Sequence, residues 1–435
     1  MASQTAQGPY SVHILEKKDY TKQHIVEFNE PLPPLAPSSV RVQTSLISLT
    51  TNNITYARLG HVPMFNWWDA SPLPFKEGEY SNSEKYGRVN AWGIGTVIES
   101  TAEFVPVGTK LFGYHPIGTL PADKVVKISE LPGMIDDISE HRKSLFPGYN
   151  QYYILGERDA NSDKAQAYFS LFCVFFETSY HINRLSFSWE PSVGAVNPLG
   201  LEVPPPLDTW TKERADLKRA VVVILSASGK TALSLAYALR FLRPESERPR
   251  AVFAVGSEAS RSFTESTKLY DGVLNYDLAK SDSSQVAEKL GLSAQDKIVL
   301  VDFGGRGDSF ELWRESLRSI SNNVPAIRMA ESVPEHVQDI DEVNASFGSM
   351  LDAAKDTYVG NAFGMRNAGM ALLGTKTYMT DFRNAFEGFM ESHCVQCVKP
   401  MWGEGTSGAT GVEGGWTKLT SGHVDPASGL VFRLT

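Results

Sequence analysis

The residues best placed for chemistry are Ser226-Ala227-Ser228-Gly229-Lys230-Thr231. They follow Ala220-Val221-Val222-Val223-Ile224-Leu225, an unbroken apolar and largely β-branched run, which is how a parallel strand buried on both faces reads. They precede Ala232, Leu235, Ala236, Leu239 and Leu242, which recur at helical spacing. A buried strand, a small-residue turn and a helix make the first βα unit of a nucleotide-binding sheet. The small residues let a diphosphate approach the backbone, and the helix N-terminus offers free N–H groups and a partial positive charge. The glycine pattern usual for such a turn is depleted here. Ser226, Ser228 and Ala232 stand where glycines are expected, and Gly229 remains. A P-loop is excluded, because Ile224 occupies the place of its first glycine. The plain alternative is a βα turn that binds nothing.

The second strand of this unit, Arg250 to Val255, runs into Gly256-Ser257-Glu258-Ala259-Ser260-Arg261. No carboxylate stands at the strand tip to take ribose hydroxyls, although Glu258 is close by. Ser257, Ser260, Arg261 and Lys230 are the candidates for holding a 2′-phosphate, so NADP(H) is the expected cofactor. An exposed helix-start arginine is the competing account of Arg261. For proton chemistry the first candidate is Tyr56, whose phenol can donate to a carbonyl or enolate. Asn52 and Asn53 could orient the substrate or the nicotinamide amide, or simply satisfy a local turn. His115 is a second donor candidate. No metal is expected: His393-Cys394-Val395-Gln396-Cys397 holds one Cys-x-x-Cys with no second pair. The stretch 61–92 carries Phe65, Trp67, Trp68, Tyr80, Tyr86 and Trp92, either a covering loop or an aromatic wall for an apolar ligand.

The elements that must position these groups fall into two sets. Short alternating runs, Val12 to Leu15, Gln23 to Phe28 and Val40 to Leu49, make the first part β-rich, with a short helical turn over Thr51 to Gly60. Trp92 to Ser100 and Pro106 to Tyr114 add a glycine-containing strand and its return. Residues 166–184 read as one helix, and prolines 191, 198, 204, 205 and 206 mark 188–210 as an insertion or linker. From residue 219, strands and helices alternate through Gly272–Tyr276, Lys297–Asp302 and Val324–Arg328, which implies a doubly wound parallel sheet. The expected division is a β-rich domain from 1–185 and 341–435, and a nucleotide-binding domain from 186–340. The chain has 435 residues, a net charge of −9 and no basic stripe, so nucleic acid is not an expected partner. No apolar run spans a membrane, residues 1–8 lack a signal-peptide core, and three cysteines suit a reducing, cytoplasmic setting.

Two stretches carry a resemblance. Trp92-Gly93-Ile94-Gly95 followed by Gly108-Thr109-Lys110-Leu111-Phe112-Gly113 resembles the barrel of medium-chain dehydrogenase/reductases, with Thr109 in place of the usual aspartate. Leu49-Thr50-Thr51-Asn52-Asn53-Ile54-Thr55-Tyr56-Ala57 resembles the matching segment of DUF2855, a divergent relative of those reductases. Agreement continues at His141-Arg142, Tyr149-Asn150-Gln151-Tyr152, Phe176-Glu177-Thr178-Ser179, Ser226 to Ala232 and Ser421 to Pro426. The resemblance implies a GroES-like β-barrel joined to a Rossmann-type sheet, NADPH, no zinc and hydride transfer. It also sets Tyr56 beside the cofactor cleft and gives Tyr276 the place of a tyrosine that flanks the adenosine phosphate. The expected activity is reduction of an enone, quinone or polyketide-like carbonyl in specialised metabolism, on a small apolar or aromatic metabolite. A homodimer is left open. The alternative keeps the fold, drops the dinucleotide and performs an isomerisation, cyclisation or elimination.

Overall fold

A computed structural model describes residues 9–160, 162–330, 337–338, 340–351 and 357–434; the N-terminal segment 1–8 lies outside them. Seventeen strands occur among these residues. In the first part they are β1 (Tyr10–Glu16), β2 (Asp19–Phe28), β3 (Ser39–Leu49), β4 (Tyr86–Gly87), β5 (Asn90–Ser100), β6 (Lys110–Pro116), β7 (Ala122–Ile128), β8 (Met134–Asp137) and β9 (Gln151–Ile154). The second part holds β10 (Val221–Leu225), β11 (Ala251–Gly256), β12 (Gly272–Asn275), β13 (Ile298–Phe303), β14 (Ala326–Ala330) and β15 (Thr357–Val359). β16 (Lys399–Glu404) and β17 (Ser428–Arg433) follow.

Strands β3, β5, β6, β9, β8 and β7 pair in that order, and β7 returns to β3, so the sheet closes into a barrel. Closure leaves those strands no open edge. The C-terminal β17 pairs with the far half of β3, through Leu430↔Leu49 and Arg433↔Leu46, and β16 lies outside it. The glycines of β5 and β6 serve packing: a Cβ on Gly93 would lie 2.2 Å from Leu46 O, and one on Gly113 would lie 2.2 Å from the Tyr152 ring.

The other sheet is parallel, in the order β12-β11-β10-β13-β14-β15. That is the 3-2-1-4-5-6 order of a doubly wound nucleotide-binding sheet. Its central strand β10 is wholly buried, as an apolar run flanked by strands on both sides requires. The sheet draws its sixth strand from beyond residue 340.

One helix, Asp163–His181, joins the two bodies, and the chain continues through a π-helical turn, Ile182–Ser186. Ser48 Oγ of the barrel donates to Ser170 O of this helix at 2.9 Å. Further along it, Ser179 Oγ donates to Thr231 O at the start of the helix Lys230–Phe241, at 2.6 Å. The helix Thr375–Met390 packs Phe382, Phe386 and Phe389 against Phe176, with ring centroids 4.7–6.1 Å apart. No helix among the described residues is long and apolar enough to cross a membrane.

Candidate functional site

The turn after β10 lies where strand order reverses, between β10 and β13. Ser226 stands at φ +57, a left-handed conformation that glycine adopts without strain. Three bonds hold the turn there: Ser226 N donates to Tyr276 Oη at 3.1 Å, Ser226 Oγ donates to Gly304 O at 3.2 Å, and Tyr270 Oη donates to Ala227 O at 2.8 Å. The Ser226 hydroxyl is thereby committed to the loop after β13. Gly229 is the N-cap of the helix Lys230–Phe241, and the first intrahelical bond runs from Leu233 N to Gly229 O at 2.9 Å. The amides of Lys230, Thr231 and Ala232 therefore lack intrahelical acceptors. Ser226, Ser228, Gly229, Lys230 and Thr231 are all half-buried. Among the described residues no carboxylate pairs with the Lys230 ammonium, and burial lowers its pKa to about 8. These groups fit a diphosphate: uncommitted amides and one cation at the start of a helix.

Beneath the turn, Asp302 ends β13 fully buried. Its Oδ1 accepts from Gly304 N at 3.0 Å and Gly305 N at 2.7 Å, and Arg328 Nε lies 3.4 Å from its Oδ2. Burial raises this carboxyl to about 6, against the pull of the two amides and Arg328. Asp302 shapes the β13 loop that receives the Ser226 hydroxyl.

At the far end of the groove, Ser260 Oγ donates to Ser257 O at 2.9 Å and Ser257 Oγ donates to Ser260 Oγ at 3.3 Å. Arg261 Nε donates to both oxygens of Glu258, at 3.1 and 2.9 Å, and its Nη1 to Val273 O at 2.8 Å. A 2′-phosphate at Arg261 would exchange with Glu258. The structure thus brings Ser226, Ser228, Gly229, Lys230, Thr231 and Tyr276 to one turn, and Ser257, Ser260 and Arg261 to its neighbouring strand end.

On the barrel side, the nine-residue helix Thr51–Leu59 holds the polar candidates. Asn53 is buried and acts as a clamp: Thr50 N donates to its Oδ1 at 2.8 Å, and its Nδ2 donates to Asn90 O at 3.1 Å. Asn52 Nδ2 donates to Tyr56 Oη at 3.1 Å, and Trp92 Nε1 donates to the same oxygen at 2.8 Å. Both lone pairs of the Tyr56 phenol are thereby used, leaving its own proton to give. Its interaction with the Tyr149 hydroxyl, weaker than burial, lowers Tyr56 and raises Tyr149, the sense of Tyr149 donating toward Tyr56. Burial pushes the Tyr56 pKa up to about 12, so the group is a proton donor and not a base. His115 lies apart from this cluster, fully buried in the barrel beside Tyr152, with Nε2 2.9 Å from Leu111 O. Burial, with the nearby Lys124 charge, lowers its pKa to about 3 and keeps it neutral.

Around Tyr56 the rings of Trp67, Tyr114 and Tyr149 approach to 4.8, 5.1 and 5.9 Å. Arg142 fixes this wall from behind, donating from Nη1 to Ala70 O at 2.6 Å and from Nη2 to Tyr149 O at 2.7 Å. Lys124, Asp137 and Arg142 form a buried charge cluster there, with contacts of 3.3 Å. Tyr114, Tyr149 and Arg142 are not among the site residues expected from sequence; the His141-Arg142 and Tyr149–Tyr152 motifs are the signal that points to them. His393, Cys394 and Cys397 share a short helix, and among the described residues no three or more His, Cys, Asp and Glu side chains gather as a metal set.

The architecture has solved counterparts. CurA in complex with NADPH from Vibrio vulnificus is 11% identical, with 98% of this chain and 99% of that one covered and a TM-score of 0.53. A mutant form of enoyl thioester reductase from Candida tropicalis is 12% identical, over 98% and 100% of the two chains, with a TM-score of 0.54. The CurF ER cyclopropanase from the curacin A biosynthetic pathway is 12% identical, over 99% and 100%, with a TM-score of 0.52. At such identities the likeness is one of fold: a GroES-like barrel with a Rossmann-type sheet. No curated protein sequence matches the chain. Residues 47–425 match the family described as protein of unknown function DUF2855, and the chain belongs to that family.

Proposed function

We propose that the protein is an NADPH-dependent reductase of a conjugated carbonyl, such as an enone, quinone or polyketide-like ketone. The observation that carries this reading is the turn at the carboxyl end of β10, where unbonded helix amides and the unpaired Lys230 face the point of strand reversal. One structural counterpart is a complex with NADPH and another is an enoyl thioester reductase, which supports the same chemistry on this fold. When bound, the dinucleotide supplies a hydride. The chain supplies the rest: Ser228, Gly229, Lys230 and Thr231 hold the diphosphate, and Ser257, Ser260 and Arg261 take the 2′-phosphate once Arg261 releases Glu258. Donors of the aromatic cluster around Tyr56 hold the substrate oxygen. Titrating the protein with NADPH by its tryptophan emission tests the reading, and absence of binding at millimolar concentration overturns it.

A second reading keeps the cleft and drops the hydride. Two observations favour it: Ser226 and Ser228 stand where glycines usually admit the diphosphate, and Arg261 is already engaged by Glu258. The protein would then isomerise, cyclise or eliminate a similar metabolite with no added cofactor. Turnover of a metabolite in the absence of dinucleotide distinguishes this reading from the first.

A further inference from the structure

The stretch Cys394-Val395-Gln396-Cys397 lies outside the candidate site. It belongs to a five-residue helix, His393–Cys397, that follows the long helix Thr375–Met390. The two thiols differ in access: Cys394 is 2% exposed, whereas Cys397 is half-buried and reaches solvent. Both are free, as is Cys173, which is wholly buried in the joining helix. Residues three apart on a helix are neighbours, with Cβ atoms roughly 5–6 Å apart. A disulfide needs about 3.5–4.5 Å, so closure asks for a shift of about 1–2 Å. This helix gives such a shift easily. A single turn has little cooperative support. Its N-cap Ser392 makes no side-chain capping bond, and Gln396 N reaches Ser392 O at 3.4 Å, a long and weak contact.

The outer thiol is the one that can attack. Cys397 Sγ lies 3.5 Å from His393 Nε2 and 3.5 Å from Ser266 O, and His393 Nε2 lies 3.0 Å from the same carbonyl. Ser266 O only accepts, and the imidazole N–H can satisfy it alone. The thiol proton of Cys397 is therefore not needed there, and the sulfur can be spent without stranding a polar group. The inner thiol has the opposite setting. Burial pushes the Cys394 pKa up to about 11, and its Sγ lies 3.1 Å from Ser392 Oγ. An accessible thiol beside a buried, protonated one is the pairing of an attacking with a resolving cysteine.

We infer that Cys394 and Cys397 are a reversible redox site that closes to an intramolecular disulfide when a small-molecule disulfide reaches it. The Cys397 sulfur attacks one sulfur of the reagent. The S–S bond of the reagent breaks, and its other half leaves as a thiol with the proton that Cys397 gave up. Cys394 then attacks the Cys397 sulfur of this mixed disulfide, gives up its own proton and displaces the second half as a second thiol. The protein dithiol is oxidised by two electrons, and one reagent disulfide is reduced to two thiols. Closure draws the Cys397 sulfur from Ser266 O, at the end of the helix Glu258–Ser266 whose first turn carries Ser260 and Arg261. The inference does not depend on the reductase reading.

Oxidised glutathione is the probe, added to the folded protein. The reaction is stopped with acid, remaining thiols are alkylated with N-ethylmaleimide in denaturant, and masses are measured. Of the three cysteines, Cys394 and Cys397 should escape alkylation together, with no glutathione retained and a linked Cys394–Cys397 peptide on digestion. Dithiothreitol should restore all three thiols. Cys394→Ser should trap glutathione on Cys397, and Cys397→Ser should leave both remaining thiols open to alkylation. Cys173→Ala should close as the unaltered protein does. Tryptophan emission checks that each variant is folded, and Cys397→Ser, at a half-exposed position, decides the matter if the buried Cys394→Ser does not fold. The inference is overturned if the unaltered protein keeps three alkylatable thiols, if glutathione stays on Cys397 without closure, if two chains become linked instead, or if closure requires denaturant.

Discussion

Breaking the pair Glu177–Arg366 should destabilise the protein in a pH-dependent way that replacing both partners repairs. Glu177 lies on the joining helix and Arg366 on the helix Ala362–Leu373, both at least nine-tenths buried. Arg366 Nε donates to Glu177 Oε1 at 2.7 Å, its Nη2 donates to Oε2, and its Nη1 donates to Gln151 Oε1 at 2.6 Å. Tyr378 Oη also donates to Glu177, at 3.1 Å, and His181 lies 3.8 Å away. Burial, the largest single influence, would raise the Glu177 carboxyl, but the charges of Arg366 and His181 and the hydrogen bonds from Arg366 and Tyr378 together outweigh it and hold the group below its usual range. The intact pair thus contributes stability above the unfolded-state pKa of a glutamate, and this is lost as pH falls through the lower folded value. In Arg366→Met the sign reverses. The lone carboxylate keeps one hydroxyl donor, its pKa rises above the unfolded value, and stability falls as pH rises between the two. The expected loss is about 3–5 kcal/mol at pH 8 and clearly less at pH 5.5, where the carboxyl can protonate. Glu177→Leu combined with Arg366→Met should recover most of the loss, since an apolar pair needs no compensation. Urea midpoints read by tryptophan emission at both pH values test this. A loss that is the same at both pH values, with no recovery in the double variant, would refute the electrostatic account and leave packing as the cause.

Arg261→Ala should weaken NADPH more than NADH by about 1–3 kcal/mol, and an equal loss for both would remove Arg261 from the 2′-phosphate. Lys230→Met should weaken both dinucleotides alike; in the unaltered protein, affinity should fall as pH rises through about 8, where the ammonium loses its proton. Because the folded Lys230 binds protons less readily than the unfolded one, this residue makes stability rise with pH above that point, a dependence that Lys230→Met should abolish. Tyr56→Phe strands the buried Trp92 N–H, so stability should drop by about 1–3 kcal/mol. Its rate per folded molecule should fall by roughly 10²–10⁴ if Tyr56 is the general acid, and an unchanged rate would remove Tyr56 from the site.

The parallel sheet is legible in the sequence because its central strands are continuous apolar runs, and Val221–Leu225 is buried along its whole length. The barrel is legible only in part. In β7 and β8 the alternation is interrupted by Asp123, Lys124, Asp136 and Asp137, and Lys124 points inward to Asp137 and the Tyr152 hydroxyl. An inward lysine reads as a loop until its partners are known. The turn at Ser226 is legible as a turn, but the bonds to Gly304 and Tyr276 that hold a serine in a glycine conformation come from strands far along the chain. Asp302, an acid closing an apolar strand before paired glycines, is visible in the sequence, yet its tie to the Ser226 turn appears only once the two strands lie side by side. The inner aromatic residues Trp67, Tyr114 and Tyr149 are buried against Tyr56, and their contacts come from separate stretches of the chain, so the cluster is not legible as one unit in the sequence.

The helix Ala362–Leu373 and the turn after β10 are tied through one turn of the joining helix. Glu177 and Ser179 are two residues apart, so they point roughly 200° around the helix axis from one another. Glu177 takes Arg366, and with it the helix that carries Phe363 onto Tyr149, the guanidinium lying 5.7 Å from the Phe363 ring. Ser179 takes Thr231 O, in the first turn of the helix Lys230–Phe241. The stretches through which the chain resembles its family lie on both sides of that turn: Asn52 to Tyr56, Arg142, Tyr149 to Tyr152 and Glu177 toward the barrel, and Ser226 to Ala232 at the parallel sheet. A substitution at Glu177 should therefore act first through Arg366 on the helix Ala362–Leu373, and one at Ser179 through Thr231 on the turn after β10.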